Sequence, residues 1–146
     1  MEERRNKDKI GEFQGQWRFL SNFWPCGIVY DGEAYSSVEH AYQAAKIPLL
    51  QKELREEIKK TVSPGEAKKL SRQLPMREDW EVVKMDIMLC LLRQKFSNEP
   101  LRSKLLATMP LELVEGNWWG DIFWGVYQGR GLNNLGKLLM QIRNEL

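Results

Sequence analysis

The sequence predicts a helix-rich α+β fold with a small β-hairpin or sheet. One domain is expected over residues 13–146, behind a flexible leader at 1–12. Three observations carry that prediction. Helix-start signals recur along the chain, followed by apolar residues at helical spacing. Asp31-Gly32 lies between apolar and aromatic residues, a strong hairpin signal. The 146 residues suffice for one core of ordinary size, with no internal repeat, linker or low-complexity tract.

The elements follow in order. Residues 1–10 are charged and lack apolar periodicity, so they read as loose chain. FQGQWRFLSNFWPC (13–26) is mixed and aromatic, and Pro25 is expected to stop any regular element there. GIVYDGEAYSS supplies the hairpin. Ser36 precedes Glu39 by three residues, the spacing of a capping box, and opens a helix that ends near Ile47 ahead of Pro48. LLQKELREEIKK (49–60) reads as a charged amphipathic helix. Ser63-Pro64-Gly65-Glu66 repeats the capping logic with proline at the first helical position. Asp79 is expected to cap a longer helix over about 80–96, with Val83, Ile87, Cys90 and Leu91 on its buried face. Glu99 to Ala107 forms a short helix, and LELVE (111–115) a short strand. The last helix, LNNLGKLLMQIRNEL, turns Leu135, Leu138, Leu139 and Ile142 inward.

Composition narrows the function classes. A hydrophobic fraction of 42% and a charged fraction of 29% are those of a globular protein. Net charge is +2, with basic residues dispersed among acidic ones, which gives no basis for long-range attraction to nucleic acid or anionic membrane. Cys26, Cys90 and the single His40 do not make a four-ligand zinc cage, so no metal is expected. Both thiols read as buried small hydrophobes in a reducing compartment. No apolar run reaches spanning length and MEERRNKDK is no signal peptide, so the expected location is the cytoplasm, without membrane association.

SVEHAYQAAK (37–46) is the first stretch with chemical content. At 100° per residue, Glu39, Gln43 and Lys46 project within roughly a 60° arc of one helix face. Val38, Ala41, Ala44 and Ala45 turn toward the other side, where alanines permit close packing. Two readings fit the polar face. It is either solvated, with Glu39 completing the capping box, or it looks into a pocket where an acid, an amide and an amine converge. His40 points about 100° from Glu39 and reads as a surface or boundary histidine.

NWWGDIFWG (117–125) is the second. It puts Trp118, Trp119 and Trp124 on a stretch that Gly120 and Gly125 mark as a turn. Adjacent tryptophans in an extended segment cannot point the same way, so one of Trp118 and Trp119 faces something other than core. Tryptophan in a concave site offers a flat wall to a heterocycle, and Asp121 beside it would stabilise positive charge. The alternative is a tight turn completed by an Asx motif at Asp121. RGLNNLGK (130–137) lacks a Walker lysine pair and G-x-G-x-x-G. Its glycines and amides either bind an anion at the last helix's start or cap that helix. In SNFW (21–24), Asn22 either meets a ligand or holds a turn.

Taken in order, FLSNFWPC (19–26), YSSVEHAYQAAK (35–46), DW (79–80), KF (95–96), LVEGNWWGDIFWG (113–125) and GLNNLGKLLMQIR (131–143) closely resemble the NADAR, or YbiA-like, family. The resemblance runs over nearly the whole chain from Phe13. It implies an N-glycosidase that needs no cofactor and cleaves the bond between a ribose carbon and a nitrogen of a base-like ring. One branch destroys phosphorylated ribosylaminopyrimidine intermediates of riboflavin synthesis, releasing ribose 5-phosphate. Another removes ADP-ribose from guanine bases. Carried over by motif, Glu39, Lys46 and Asp121 are the expected catalytic residues. Trp80, Trp124, Asn22 and Asn133 join Gln43 and Trp119 as substrate contacts.

Glu39 would serve as general acid and base, and Asp121 would stabilise the cationic sugar or orient water. Lys46 would bind an anion as an ammonium or, as a free amine, form a Schiff base with an opened ribose. The expected partner is a small ribosyl-nitrogen compound. Nucleic acid enters only under the alternative, an ADP-ribosyl hydrolase. A non-enzymatic sensor of NAD or ADP-ribose is the remaining reading. VYQGRGL carries Tyr127 where related chains vary, which bears on substrate choice.

Overall fold

In the computed structural model the described residues are 8–146, so most of the expected leader lies outside them. In chain order they form Lys9–Ile10 (β1), a 3-10 helix Gly15–Leu20, Pro25–Tyr30 (β2), Glu33–Ser37 (β3), Val38–Lys46 (α1) and Lys52–Lys60 (α2). Pro64–Ser71 (α3), Trp80–Lys95 (α4), Leu101–Leu106 (α5), Glu112–Leu113 (β4), Gly116–Asn117 (β5), Val126–Tyr127 (β6) and Asn134–Glu145 (α6) follow. The class is the predicted one, helix-rich with three two-stranded sheets. The chain divides into two compact units, Asn22–Lys95 and a second built from both flanks of that segment.

The Asn22–Lys95 unit is organised around α1. Val38 through Ala45 are all buried, and α2, α3, α4 and the β2–β3 hairpin pack on this helix. Ala41, Ala44 and Ala45, without exposed surface, let these neighbours approach closely. The hairpin turns at Asp31 (φ 50°) and Gly32 (φ 79°), the left-handed pair of a type I′ turn, as Asp-Gly predicts. Pro25 begins β2 instead of blocking a strand. It is the first residue, where its missing N–H costs least.

β3 runs through Ser37, which pairs with Pro25, and this moves the start of α1 by one residue. Ser37, not Ser36, is the N-cap: its Oγ accepts the His40 N–H at 3.0 Å. His40 is buried rather than at a boundary. Its Nδ1 lies 2.7 Å from Ser37 Oγ and its Nε2 3.1 Å from the Thr61 carbonyl, which accepts only and so takes Nε2–H. Ser63 caps α3 as expected, accepting from Glu66 N–H at 3.1 Å. The Asp79 carboxylate does not cap α4. It holds Arg77 at 2.6 and 3.0 Å, while the Asp79 carbonyl receives the Val82 and Val83 amides.

The buried face of α4 is also not the expected one. Trp80, Met88, Leu91, Leu92 and Lys95 are buried, Val83 and Ile87 are half-buried, and Cys90 is exposed. Cys26 is half-buried, so neither thiol is the enclosed hydrophobe that composition suggests.

In the second unit β1 pairs in parallel with β4, and Ile10 and Phe13 are buried. The end of the expected leader is thus tied down. Glu112, Val114 and Gly116 donate their amides to the carbonyls of Asp8, Ile10 and Gly11. β5 pairs in parallel with β6. α6 buries Leu135, Leu138, Leu139 and Ile142, as its periodicity predicts. It lies against β4 at Gly136, where a Cβ would meet the Leu113 carbonyl oxygen at 2.1 Å, so only glycine fits. Arg143 Nη1 donates to Thr108 Oγ1 at 3.0 Å and to the Leu111 carbonyl at 2.7 Å.

Candidate active site

Because α1 begins after Ser37, Glu39 sits in its first turn, at the positive end of the helix dipole. Its N–H donates to the Asn22 carbonyl at 3.0 Å, so its backbone is tied to the loop before β2 rather than to a capping box. The residue is 7% exposed, and its Oε1 accepts a 2.8 Å hydrogen bond from Gln43 Nε2, one turn on. Gln43 is buried as well, and its Oε1 accepts from Ser71 Oγ of α3 at 2.5 Å. The polar face is therefore not solvated. It is a buried acid–amide pair that leads to the half-buried Lys46.

Partial burial is the main cause that brings the Lys46 amine below the ordinary lysine range, reinforced by the Arg72 guanidinium. Glu39 and Glu81 pull it back upward, and Lys84 adds to the lowering. The Lys46 carbonyl accepts the Arg77 N–H at 2.9 Å, and Arg77 Nη1 lies 3.4 Å from the Ala45 carbonyl. Arg77, steadied by Asp79, thus closes the C-terminal end of α1. That gives the Asp79-Trp80 pair a local purpose that sequence did not disclose. Trp80 itself is buried, its ring 4.9 Å from Tyr42 at a tilt of 52°. Asn22 is buried too. Its Nδ2 lies 3.6 Å from Met88 Sδ, and among the described residues nothing pairs with its Oδ1.

Asn22, Glu39, Gln43, Lys46 and Trp80 all belong to the Asn22–Lys95 unit, and α1 links them. Asp121, Trp119, Trp124 and Asn133 belong to the other unit and have their own geometry. There Asn117 organises the loop. Its Oδ1 accepts from Asp121 N–H at 3.0 Å, and its Nδ2 donates to the carbonyls of Asp121 and Val126 at 2.8 and 3.2 Å. Asp121 Oδ1 accepts the Phe123 and Trp124 amides at 3.0 and 2.9 Å, the Asx motif weighed from sequence. That fixes one carboxylate oxygen and orients the other. Trp118 and Trp119 are both exposed and meet edge to face at 4.9 Å. Trp124, half-buried, stands perpendicular to Phe123 at 4.8 Å.

Asn133 is left-handed at φ 53° and makes no side-chain cap. Its Oδ1 accepts from Glu115 N–H and its Nδ2 donates to the Leu113 carbonyl, both at 3.0 Å, so its amide is spent on the backbone.

Sequence reasoning missed Ser71, Asn117 and Lys95. Ser71 has no local signal, being one small polar residue at the end of a helix. Asn117 stands four residues before Asp121, a spacing that suits a loop clamp. Lys95 appears only inside KF, without a role, yet it is buried beside Cys26.

Comparison with known proteins gives the family of the chain. N-glycosidase YbiA of Escherichia coli is 42% identical over 145 residues, covering 95% of this chain and 83% of that protein. Riboflavin biosynthesis protein VVA0006 of Vibrio vulnificus is 39% identical over 132 residues. That match covers 88% of this chain and 35% of that protein, so the chain spans about a third of its length. The NMR structure of the E. coli protein YbiA superposes with a TM-score of 0.79 at 35% identity, covering 97% of this chain and 89% of that one. The NADAR domain is matched over residues 10–146, which takes in α1 and the tryptophan loop, and the chain belongs to the NADAR domain family.

Proposed function

We propose that this protein hydrolyses the ribosyl C–N bond of a phosphorylated ribosylaminopyrimidine, releasing ribose 5-phosphate and an aminopyrimidine. Its enzyme class, N-glycosidase, follows from membership of the NADAR domain family together with relatives of that name, 42% identical over 95% of the chain. The substrate is supported by relatives named riboflavin biosynthesis protein, from Vibrio vulnificus and, as PYRR, from Zea mays.

The observation that carries the chemistry is Glu39, a buried carboxyl in the first turn of α1, held by an amide donor and followed by a lysine of lowered basicity. Cleavage builds positive charge on C1′ and the ring oxygen while the departing nitrogen gains electrons. Glu39 delivers a proton to that nitrogen and then accepts one from the attacking water. From its motif DIFWG, Asp121 is proposed as the carboxylate that stabilises the cationic sugar. Asn22 Oδ1 supplies an acceptor for a hydroxyl or N–H of the substrate.

Lys46 supports a second reading. An amine of lowered pKa holds more of its free base, the form that attacks an opened ribose, and the second reading is an ADP-ribosyl-guanine hydrolase that uses this attack.

The test is incubation with the phosphorylated ribosylaminopyrimidine, with ribose 5-phosphate followed by mass spectrometry. Rapid release by the wild type is expected, lowered by at least about a hundredfold in Glu39→Gln and Asp121→Asn. Absence of release above the spontaneous rate, with turnover of ADP-ribosylated guanine instead, overturns the substrate in favour of the second reading. A Lys46→Arg variant that keeps activity removes the Schiff base, because a guanidinium stays protonated.

A further inference from the structure

Three buried polar side chains run in series from α1 to α3. Gln43 Nε2 donates to Glu39 Oε1 at 2.8 Å, and Ser71 Oγ donates to Gln43 Oε1 at 2.5 Å. The same hydroxyl lies 3.0 Å from the Lys68 carbonyl. A serine hydroxyl has one hydrogen, so it serves one of these two acceptors at a time.

That choice defines two complete arrangements. In the first, Ser71 donates to Gln43 Oε1 and Gln43 donates to Glu39, which suits a carboxylate. In the second, the Gln43 amide is turned by half a revolution. Its Oε1 then accepts from a protonated Glu39, its Nε2 donates to Ser71 Oγ, and the Ser71 hydrogen swings to the Lys68 carbonyl. Every group in the series is paired in both.

We propose that Gln43 and Ser71 form a reversing relay that pairs Glu39 both as base and as acid, with Ser71 as its positioning residue. The proposal rests on the acid–base reading of Glu39. A buried carboxyl facing only fixed donors is held ionised, and one facing only fixed acceptors is held protonated. A glycosidase carboxyl that gives a proton and takes it back needs both states within one turnover. No proton travels along the series: the one gained by Glu39 stays on its carboxyl while an amide turns and a hydroxyl rotates.

Other charges act on this face but do not drive the reversal. Glu39 and Lys46 act on each other's charge, and Arg72 beyond α3 and Glu81 and Lys84 on α4 act on Lys46. On α2, Arg55 spends its guanidinium on the Ile47 carbonyl and on Asp31 of the hairpin, and Lys95 of α4 lies beside Cys26. Gln43 and Ser71 determine whether both ends of the Glu39 titration are paired.

The experiment is NMR of the full chain labelled with 15N and 13C. The Gln43 side-chain amide, assigned by its loss in Gln43→Leu, is followed with pH beside the Glu39 carboxyl carbon. The relay predicts one shared midpoint, and a Gln43 amide that stops responding in Glu39→Gln. Ser71→Ala should speed exchange of the Gln43 amide hydrogens and lower kcat by about five- to tenfold, the scale of one hydrogen bond. KM should change little, and Ser71→Thr should restore both. A Gln43 amide indifferent to Glu39 titration overturns the relay, as does a Ser71→Ala variant with wild-type exchange and kcat. A chain that shows the shared midpoint but turns over no ribosyl-nitrogen compound sinks the acid–base reading and leaves the relay standing.

Discussion

At the scale of single residues, the least comfortable group is Lys95 in the last turn of α4, only 2% exposed. Burial brings its amine down to about 7, and the neighbouring Cys26 pulls it back upward. Burial also pushes the Cys26 thiol above 9.0, with Lys95 opposing. An unfolded lysine keeps its proton up to about 10.5, so between pH 7 and 9 the unfolded chain holds more protons than the folded one. Stability supplied by this group therefore rises with pH across that window, and the full penalty is present below it. Lys95→Met keeps the length of the side chain and removes the titration. It should be more stable than wild type at pH 6, by about 2–4 kcal/mol, with the advantage shrinking toward pH 9. Urea unfolding at a series of pH values checks this, and an advantage that does not vary with pH would contradict it.

At the scale of elements, the entry to α1 decides where Glu39 stands. Ser37 serves both the His40 amide and the His40 ring, whereas exposed Ser36 offers the ring only a 3.3 Å contact. Ser37→Ala should cost about 1–2 kcal/mol in chemical denaturation and Ser36→Ala a few tenths, because only the first removes a cap. Equal losses would mean that the capping box read from Ser36 and Glu39 operates after all. Sequence spacing fitted that box, but the decision lay with β3, whose pairing continues through Ser37 and holds Ser36 in the strand.

The same logic separates the helices that could be read in detail from those that could not. α6 gathers its leucines and its isoleucine on one side, so its inward set was legible. α4 carries apolar residues on every side, so its periodicity names no face, and packing against α1 and β2 selected Trp80, Met88 and Leu92 in place of Cys90. The candidate site was legible as motifs: the Glu39–Gln43–Lys46 spacing and the Asp121 turn are local. Ser71 and Lys95 owe their positions to other elements and left no trace in local spacing.

At the scale of the whole molecule, the second unit draws on both flanks of the Asn22–Lys95 segment. Removing residues 1–10 deletes β1 and the buried Ile10. It takes from β4 the carbonyl partners of the Glu112 and Val114 amides, at 3.0 and 2.9 Å. Hydrogen exchange at those two amides should accelerate strongly, and the lost burial of Ile10 should cost about 2–4 kcal/mol. Unchanged protection there would show that β4 stands without its partner.

That pairing also sets a schedule during synthesis. The Asn22–Lys95 segment is continuous, so Glu39, Gln43 and Ser71 can find one another as soon as α4 clears the ribosome. β1, made first, has no partner until Leu113 follows roughly a hundred residues later. At the usual pace of translation, β1 stays single for about 5–20 s. A strand of two residues beside Asp8 and Glu12 is too short and too charged to recruit a neighbouring chain in that interval. Its brevity is what makes the wait safe.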